Sequence, residues 1–171
     1  MRVFDTPLGR MAVAATSRGL ARVLLPNEAA ALRESVSSPH PDAAAEALAA
    51  RAEREILQYL AGRSVGEFTV PVDLSAAPAF HAKVLRALAR VPYGRTVTYG
   101  ELAARVGRPH GARAVGQAMA RNPVPLVIPC HRVVACGGGL GGYGGGLDLK
   151  RRLLDLEIGR FSAECGMRSA E

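Results

Sequence analysis

Residues 124–146 restrict this chain more than any other stretch. The apolar run Val124-Pro125-Leu126-Val127-Ile128 leads into Pro129-Cys130-His131-Arg132, and eight glycines then fall between Gly137 and Gly146. Successive side chains on a regular strand point to opposite faces. Cys130 and His131 can therefore act together only where the backbone leaves the extended form, which Pro129 and the glycines permit. The pattern predicts a turn that presents a thiol beside an imidazole at the end of a buried segment.

The rest of the chain can supply the core such a segment needs. It has 171 residues, 49% of them apolar, enough for one large domain or two small ones. Residues 1–75 carry 8 Lys+Arg against 9 Asp+Glu, whereas residues 76–171 carry 14 against 6, so the halves are −1 and +8. That asymmetry points the second half at a polyanion, nucleic acid above all. The basic residues are almost all arginine, a bias that high-GC coding produces, but such a bias does not explain the split. Cys130, Cys136 and Cys165 are the only cysteines; an odd count with none in the first 129 positions reads as free thiols in a reducing compartment. No run approaches the ~18 apolar residues of a membrane span, and Asp5 stands where a signal peptide would begin its apolar core. The expectation is a soluble, cytoplasmic protein with no membrane partner.

Along the chain, Val3-Phe4, Met11 to Ala15 and Leu20 to Leu25, separated by Pro7-Leu8-Gly9 and Ser17-Arg18-Gly19, predict a small β-meander. After a break at residues 37–41, Asp42 caps a helix running through Ala52, Ile56, Tyr59 and Leu60 to Gly62. Phe68-Thr69-Val70 reads as a further strand and Asp73 to Pro78 as a linker. Phe80, Val84, Leu88 and Val91 recur at helical spacing up to Pro92-Tyr93-Gly94. Thr98 with Glu101 is a capping-box pair that opens a short helix ending at Gly107. A turn follows, and then Ala112 to Ala120, rich in small residues; together these read as helix-turn-helix. The glycine tract reads as a mobile loop or hairpin. Asp148 to Ile158 reads as a last helix burying Leu149, Leu153 and Leu156, with Glu157 at the edge of that face. The fold class expected is α/β (α+β), divided as 1–75, 76–160 and a frayed tail 161–171.

For chemistry, the reactive species of cysteine is the thiolate, and an unperturbed thiol titrates near ~8.5. His131 offers a base and Arg132 a positive charge, while Glu157 can hold the imidazole, directly or through a water. The plain alternative makes Cys130 a small buried hydrophobe and His131 a satisfied core histidine. Zinc on Cys130, His131, Cys136, His110 and Cys165 fits no usual ligand spacing. The glycine tract lacks the Gly-Lys-Ser/Thr ending of a phosphate loop. Arg113 lies near the start of the second helix, where a long cation can enter a groove or replace an extruded base. With Tyr99 and the Cys130 segment it suggests thiol chemistry on a nucleotide held out of a duplex.

Five motifs in order carry a specific resemblance: Pro92-Tyr93-Gly94 with Val97-Thr98-Tyr99-Gly100-Glu101-Leu102-Ala103; Ala112-Arg113-Ala114-Val115-Gly116; Asn122-Pro123-Val124-Pro125; Ile128-Pro129-Cys130-His131-Arg132-Val133-Val134; and Gly141-Gly142-Tyr143-Gly144-Gly145-Gly146. Over Phe80 to Gly159 the chain resembles the O6-alkylguanine-DNA alkyltransferase family. The resemblance implies a sheet-plus-helix N-terminal domain and a mostly helical, winged helix-turn-helix domain. It further implies a monomer that binds double-stranded DNA containing O6-alkylguanine, and by extension O4-alkylthymine, and transfers the alkyl group irreversibly to Cys130 with no cofactor and no metal at the site.

The same resemblance implies roles. Cys130 matches the alkyl acceptor, His131 the base, and Glu157 the carboxylate that polarises it through water. Asn122 matches the residue bracing the link into the active-site segment. Tyr99 matches the tyrosine that rotates the phosphate beside the target, and Arg113 the arginine that fills the gap in the stack. Ala112 and Gly116 belong to the same DNA-facing motif. Pro125, Val133 and Tyr143 match pocket positions, the Val133 carbonyl reading the guanine amino group and Tyr143 lying near O6. Gly144 replaces a serine of some relatives, leaving only its backbone N–H to serve. Gly145 lacks a bulky side chain of some bacterial members, which implies a pocket open to alkyl groups larger than methyl. No early cysteines are present for the structural zinc of some relatives. Two rivals stand beside this reading, a lesion sensor that flips the base without repair, and a thiol hydrolase using Cys130 and His131.

Overall fold

The computed structural model describes residues 1–30, 32, 42–62 and 68–159; the break at residues 37–41, the tail from Ser162 and Cys165 lie outside them. The first three apolar runs form the expected meander. β1 (Arg2–Thr6), β2 (Gly9–Thr16) and β3 (Gly19–Leu24) pair antiparallel in that order, with a bulge between Ala14 and Ala15. Phe4 lies opposite Met11 and Val13 opposite Val23, and all four are buried. Directly opposed residues share a face, so these pairs build the apolar side of the sheet. After the single turn α1 (Pro26–Ala29), helix α2 (Ala43–Leu60) covers the sheet. Asp42 caps it, its carboxylate accepting the N–H of Ala44 at 2.9 Å and of Ala45 at 3.3 Å. Ala49, Ala52, Ile56, Tyr59 and Leu60 form the buried stripe.

Phe68-Thr69-Val70, expected as a strand, is irregular. The N–H groups of Thr69 and Val70 are taken by the Glu55 carboxylate of α2 at 2.8 and 3.1 Å, and Pro71 has no N–H to offer a ladder. A single parallel bridge, Leu20 with Val72, remains; Leu20 donates to the Pro71 carbonyl at 2.7 Å and accepts from the Asp73 N–H at 2.9 Å. Gly19 permits this approach, since a Cβ there would stand 2.6 Å from the Pro71 carbonyl oxygen. Residues 73–78 are tied down at their start: Asp73 accepts from Thr16 at 2.7 Å, Arg18 at 3.2 Å and the Ser75 N–H at 3.0 Å.

The second half opens with α3 (Ala79–Leu88), which buries Ala82, Val84, Leu85 and Leu88. Helices α4 (Tyr99–Arg105) and α5 (Ala112–Ala120) pack on each other and on α3, giving the expected helix-turn-helix. The Thr98 and Glu101 capping box forms in full, at 3.1 Å from the Glu101 N–H to Thr98 and 2.7 Å from the Thr98 N–H to Glu101. β4 (Val97–Thr98) pairs parallel with β5 (Val133–Val134), fastening the entry of α4 to the exit of the Cys130 turn. The glycine tract starts as a short 3-10 turn, Cys136–Gly138, and is otherwise irregular up to α6 (Leu147–Glu157). The two halves meet where the Val23 N–H of β3 donates to the Pro123 carbonyl at 2.9 Å.

Candidate active site

The approach to Cys130 is held by one side chain. Asn122 donates from Nδ2 to the Ile128 carbonyl at 2.9 Å and accepts the Val124 N–H at 3.1 Å, closing residues 122–128 into a compact loop. Leu126 in that loop has φ +72° while almost fully buried. A left-handed conformation costs a non-glycine residue about 1–3 kcal/mol and persists where the surroundings over-determine it. Beyond Pro129 the chain turns as a 3-10 helix, Cys130–Arg132, so the thiol and the imidazole do leave the extended form together.

Behind the turn lies a buried polar cluster centred on Glu157. Its carboxylate faces His131 Nε2 at 2.8 Å and accepts Tyr59 Oη at 2.7 Å, Arg132 Nε at 3.0 Å and Nη2 at 2.8 Å, and the Gly94 N–H at 2.9 Å. Burial alone would raise its pKa; the contacts from His131, Arg132 and Tyr59 outweigh that and hold it at about 2. Fully buried His131 moves the other way. Burial lowers its pKa against the pull of Glu157, so the ring is neutral at physiological pH. The histidine–carboxylate contact is direct, where the resemblance implied a water between them. Arg132 also differs from expectation. It is committed to Glu157 and to the Val91 carbonyl at 2.6 Å, so its charge stabilises the carboxylate and not the thiol.

In front of the turn is a cavity of about 300 Å³. Tyr99 of α4 with Gly116, Met119 and Ala120 of α5 form one wall, and Cys130, Gly142, Tyr143 and Gly144 form the other. Burial pushes the Cys130 thiol up; the Asn122 side chain, the Lys150 charge and local backbone N–H groups oppose that only in part. The resting group is therefore a thiol, which must be ionised before it can react. Tyr143 is driven well above the ordinary phenol value by burial, and its hydroxyl is buried with no partner among the described residues. It remains a neutral donor. Lys150 crosses beneath the glycine tract and donates to the carbonyls of Val133 at 2.5 Å, Leu140, and Gly142 at 3.2 Å. Burial lowers its pKa. Gly141, at φ +68°, lets the tract lie on Tyr99, where a Cβ would come within 2.9 Å of the ring.

Of the remaining candidates, Pro125 and Val133 are buried but outside the cavity lining, and the Val133 carbonyl already holds Lys150. Ala112 and Arg113 form the first turn of α5, with the Arg113 side chain exposed. Among the described residues no cluster of three His, Cys, Asp or Glu side chains is arranged to hold a metal ion.

Comparison with known proteins decides the family. The 6-O-methylguanine DNA methyltransferase DNA-binding domain matches residues 79–159, and the ribonuclease-like domain of the same name matches residues 1–74. The methylated-DNA–protein-cysteine methyltransferase of Mycobacterium bovis is 37% identical over 163 residues, covering 95% of this chain and 94% of the relative. This chain belongs to the 6-O-methylguanine DNA methyltransferase family. The crystal structure of Mycobacterium tuberculosis OGT in complex with DNA is similar at a TM-score of 0.79 and 36% identity, covering 96% of each chain. The O6-methylguanine-DNA methyltransferase of Pyrococcus kodakaraensis is similar at a TM-score of 0.64 and 26% identity, covering 91% of this chain and 96% of that one.

Within this family frame, two residues of the site escaped the sequence reading. Tyr59 was read only as part of the α2 stripe, although a buried tyrosine hydroxyl needs a partner. Lys150 shares the buried face of α6 with Leu153 and Glu157. It is one of two lysines in the chain, with Lys83. In so arginine-rich a sequence, a compact ammonium with three donors on an apolar face was a readable signal.

The structure adds a packing role for Gly145. A Cβ there would meet Leu149 Cδ2 at 2.6 Å, Leu25 Cδ1 at 2.8 Å and Tyr143 Cε1 at 3.0 Å, so its small size serves packing directly behind the cavity wall. A Cβ at Gly144, on the cavity wall, meets nothing within 4 Å. We expect Gly145→Ala to lower stability by about 1–3 kcal/mol through overpacking. Gly144→Ala should stay within ~0.5 kcal/mol of the parent. Urea denaturation of the two variants measures both.

Proposed function

We propose that this protein repairs duplex DNA by moving the alkyl group of O6-alkylguanine, and of O4-alkylthymine, irreversibly onto its own Cys130. The observation that carries the reading is the cavity: a cysteine on its wall, a neutral imidazole in the adjoining cluster and beside it a phenol without a partner among the described residues. A flipped base enters between Tyr99 and Tyr143. The thiol proton passes to His131, and the sulfur attacks the alkyl carbon. The C–O6 bond breaks with its electron pair going to the base, which takes up one proton with Tyr143 as donor at O6. The imidazolium proton then restores the Tyr143 phenol, so sulfur has lost one proton, guanine has gained one and both side chains are regenerated without a cofactor; the thioether ends the reaction after one turnover.

Burial of the thiol suits this scheme. A resting thiol escapes oxidation and stray alkylation, and ionisation is coupled to filling of the cavity. The Val133 carbonyl, with a lone pair left beside Lys150, reads the guanine amino group, while Pro125 backs the pocket and the Gly144 N–H faces the leaving oxygen. Asn122 fixes the loop that carries Cys130. Ala112 and Gly116 let α5 approach the duplex, Tyr99 turns the phosphate, and Arg113 fills the gap left in the stack. The unit of function is a cytoplasmic monomer with an N-terminal domain at 1–75 and a DNA-handling domain at 76–160.

After incubation with an oligonucleotide containing O6-methylguanine, mass spectrometry should find one adduct of about 14 Da, S–H replaced by S–CH3, on the Cys130 peptide. An unmodified peptide with the DNA bound would instead favour a lesion sensor. Arg113→Ala should slow repair in duplex DNA by about 10-fold or more while leaving reaction with a free O6-alkylguanine base unchanged, because only the duplex has a gap to fill. Paired rate measurements on the two substrates check it, and equal loss on both would exclude that role.

A further inference from the structure

Tyr59 belongs to α2 in the N-terminal half, yet its hydroxyl sits inside the polar cluster, 2.7 Å from Glu157 Oε1 and 3.2 Å from His131 Nε2. A phenol has one hydrogen to give, and the shorter contact to an ionised carboxylate takes it. Towards His131 the tyrosine oxygen can then only accept. Glu157, ionised, can also only accept. Nε2 of His131 faces two acceptors, so in the neutral ring it is the nitrogen that carries hydrogen. Nδ1 is left bare, buried and without a partner among the described residues.

We infer that Tyr59 is a positioning residue of the alkyl-transfer site, through which the N-terminal half locks His131 in the tautomer that leaves Nδ1 free to take the Cys130 proton. This rests on the alkyl-transfer reading above. Every charged or titratable group around the ring is consistent with it. Glu157 and Tyr59 meet Nε2, and Arg132 is spent on Glu157. Lys150 is spent on backbone carbonyls, and the Tyr143 ring stands edge-on with centroids 6.4 Å apart. Among the described residues no other donor meets Nε2 to reverse the tautomer. The geometry also gives the sheet-and-helix half a chemical duty: without α2, Glu157 Oε1 loses a donor and the Nε2 hydrogen loses one of its two acceptors.

The test joins rate, binding and spectroscopy on the full chain. With O6-methylguanine duplex as substrate, the first-order rate of methyl transfer in the saturated complex should fall about 5-fold in Tyr59→Phe, the factor expected for one lost hydrogen bond. DNA affinity should be unchanged, because Tyr59 is not among the residues that line the cavity. A purely structural role would move thermal stability and leave the saturated rate alone. Nitrogen-15 NMR of wild-type His131 needs no variant and reads the tautomer directly; the account requires a neutral ring with hydrogen on Nε2. Hydrogen on Nδ1, or an unaltered saturated rate in a folded Tyr59→Phe protein, overturns the inference. Failure of the wild-type protein to take up methyl at all would instead sink the underlying function.

Discussion

A single ionised carboxylate buried among donors from three parts of the chain organises this molecule. Glu157 at the end of α6 draws Tyr59 from α2, Gly94 from the loop after α3, and His131 and Arg132 from the Cys130 turn. A lone buried carboxylate would be neutralised or expelled, because desolvating a charge costs several kcal/mol. Here the donors are numerous enough to keep it charged. The sign of the linkage follows: a carboxyl depressed in the fold stabilises it above the ordinary carboxyl pKa and loses that contribution as pH falls toward about 2.

From that anchor the site divides into two layers with different electrostatics. The rear layer is charged, saturated with hydrogen bonds and closed. The front layer is a cavity with a thiol, two tyrosines and glycines, where the polar atoms are few and Tyr143 Oη has no partner among the described residues. His131 lies in the rear layer, with Nε2 fixed there and Nδ1 without a partner among the described residues. In the proposed reaction the nucleophile is kept protonated at rest and gives its proton to His131 when the cavity fills. Lys150 completes the front layer by fixing the carbonyls of the glycine tract, with its charge lying near the sulfur.

Much of this was legible in the sequence because its signals are local. The meander followed from alternation and turn residues, α2 from Asp42, and α4 from Thr98 and Glu101. The turn at Cys130 followed from Pro129 between an apolar run and glycines. What stayed hidden is long-range. Nothing in positions 51–60 says that Tyr59 meets residues 72 and 98 positions away. Phe68 to Val70 reads as a strand by composition, and only the Glu55 carboxylate across the fold takes its hydrogen bonds away. Arg132, adjacent in sequence to the thiol pair, looked like its activating charge; a 3-10 turn rotates successive side chains apart and sends the guanidinium to Glu157. The packing of Gly145 against Leu25, Leu149 and the Tyr143 ring likewise joins residues distant in sequence.

The most direct test of this account is carbon-13 NMR of the Glu157 side-chain carboxyl as the folded protein is acidified. At pH 4.5, where an ordinary glutamate is half protonated, Glu157 should still give the signal of a fully ionised carboxylate. A carboxyl that titrates with its midpoint there would mean that the donors do not hold its charge, and the ordering of His131 described here would be wrong.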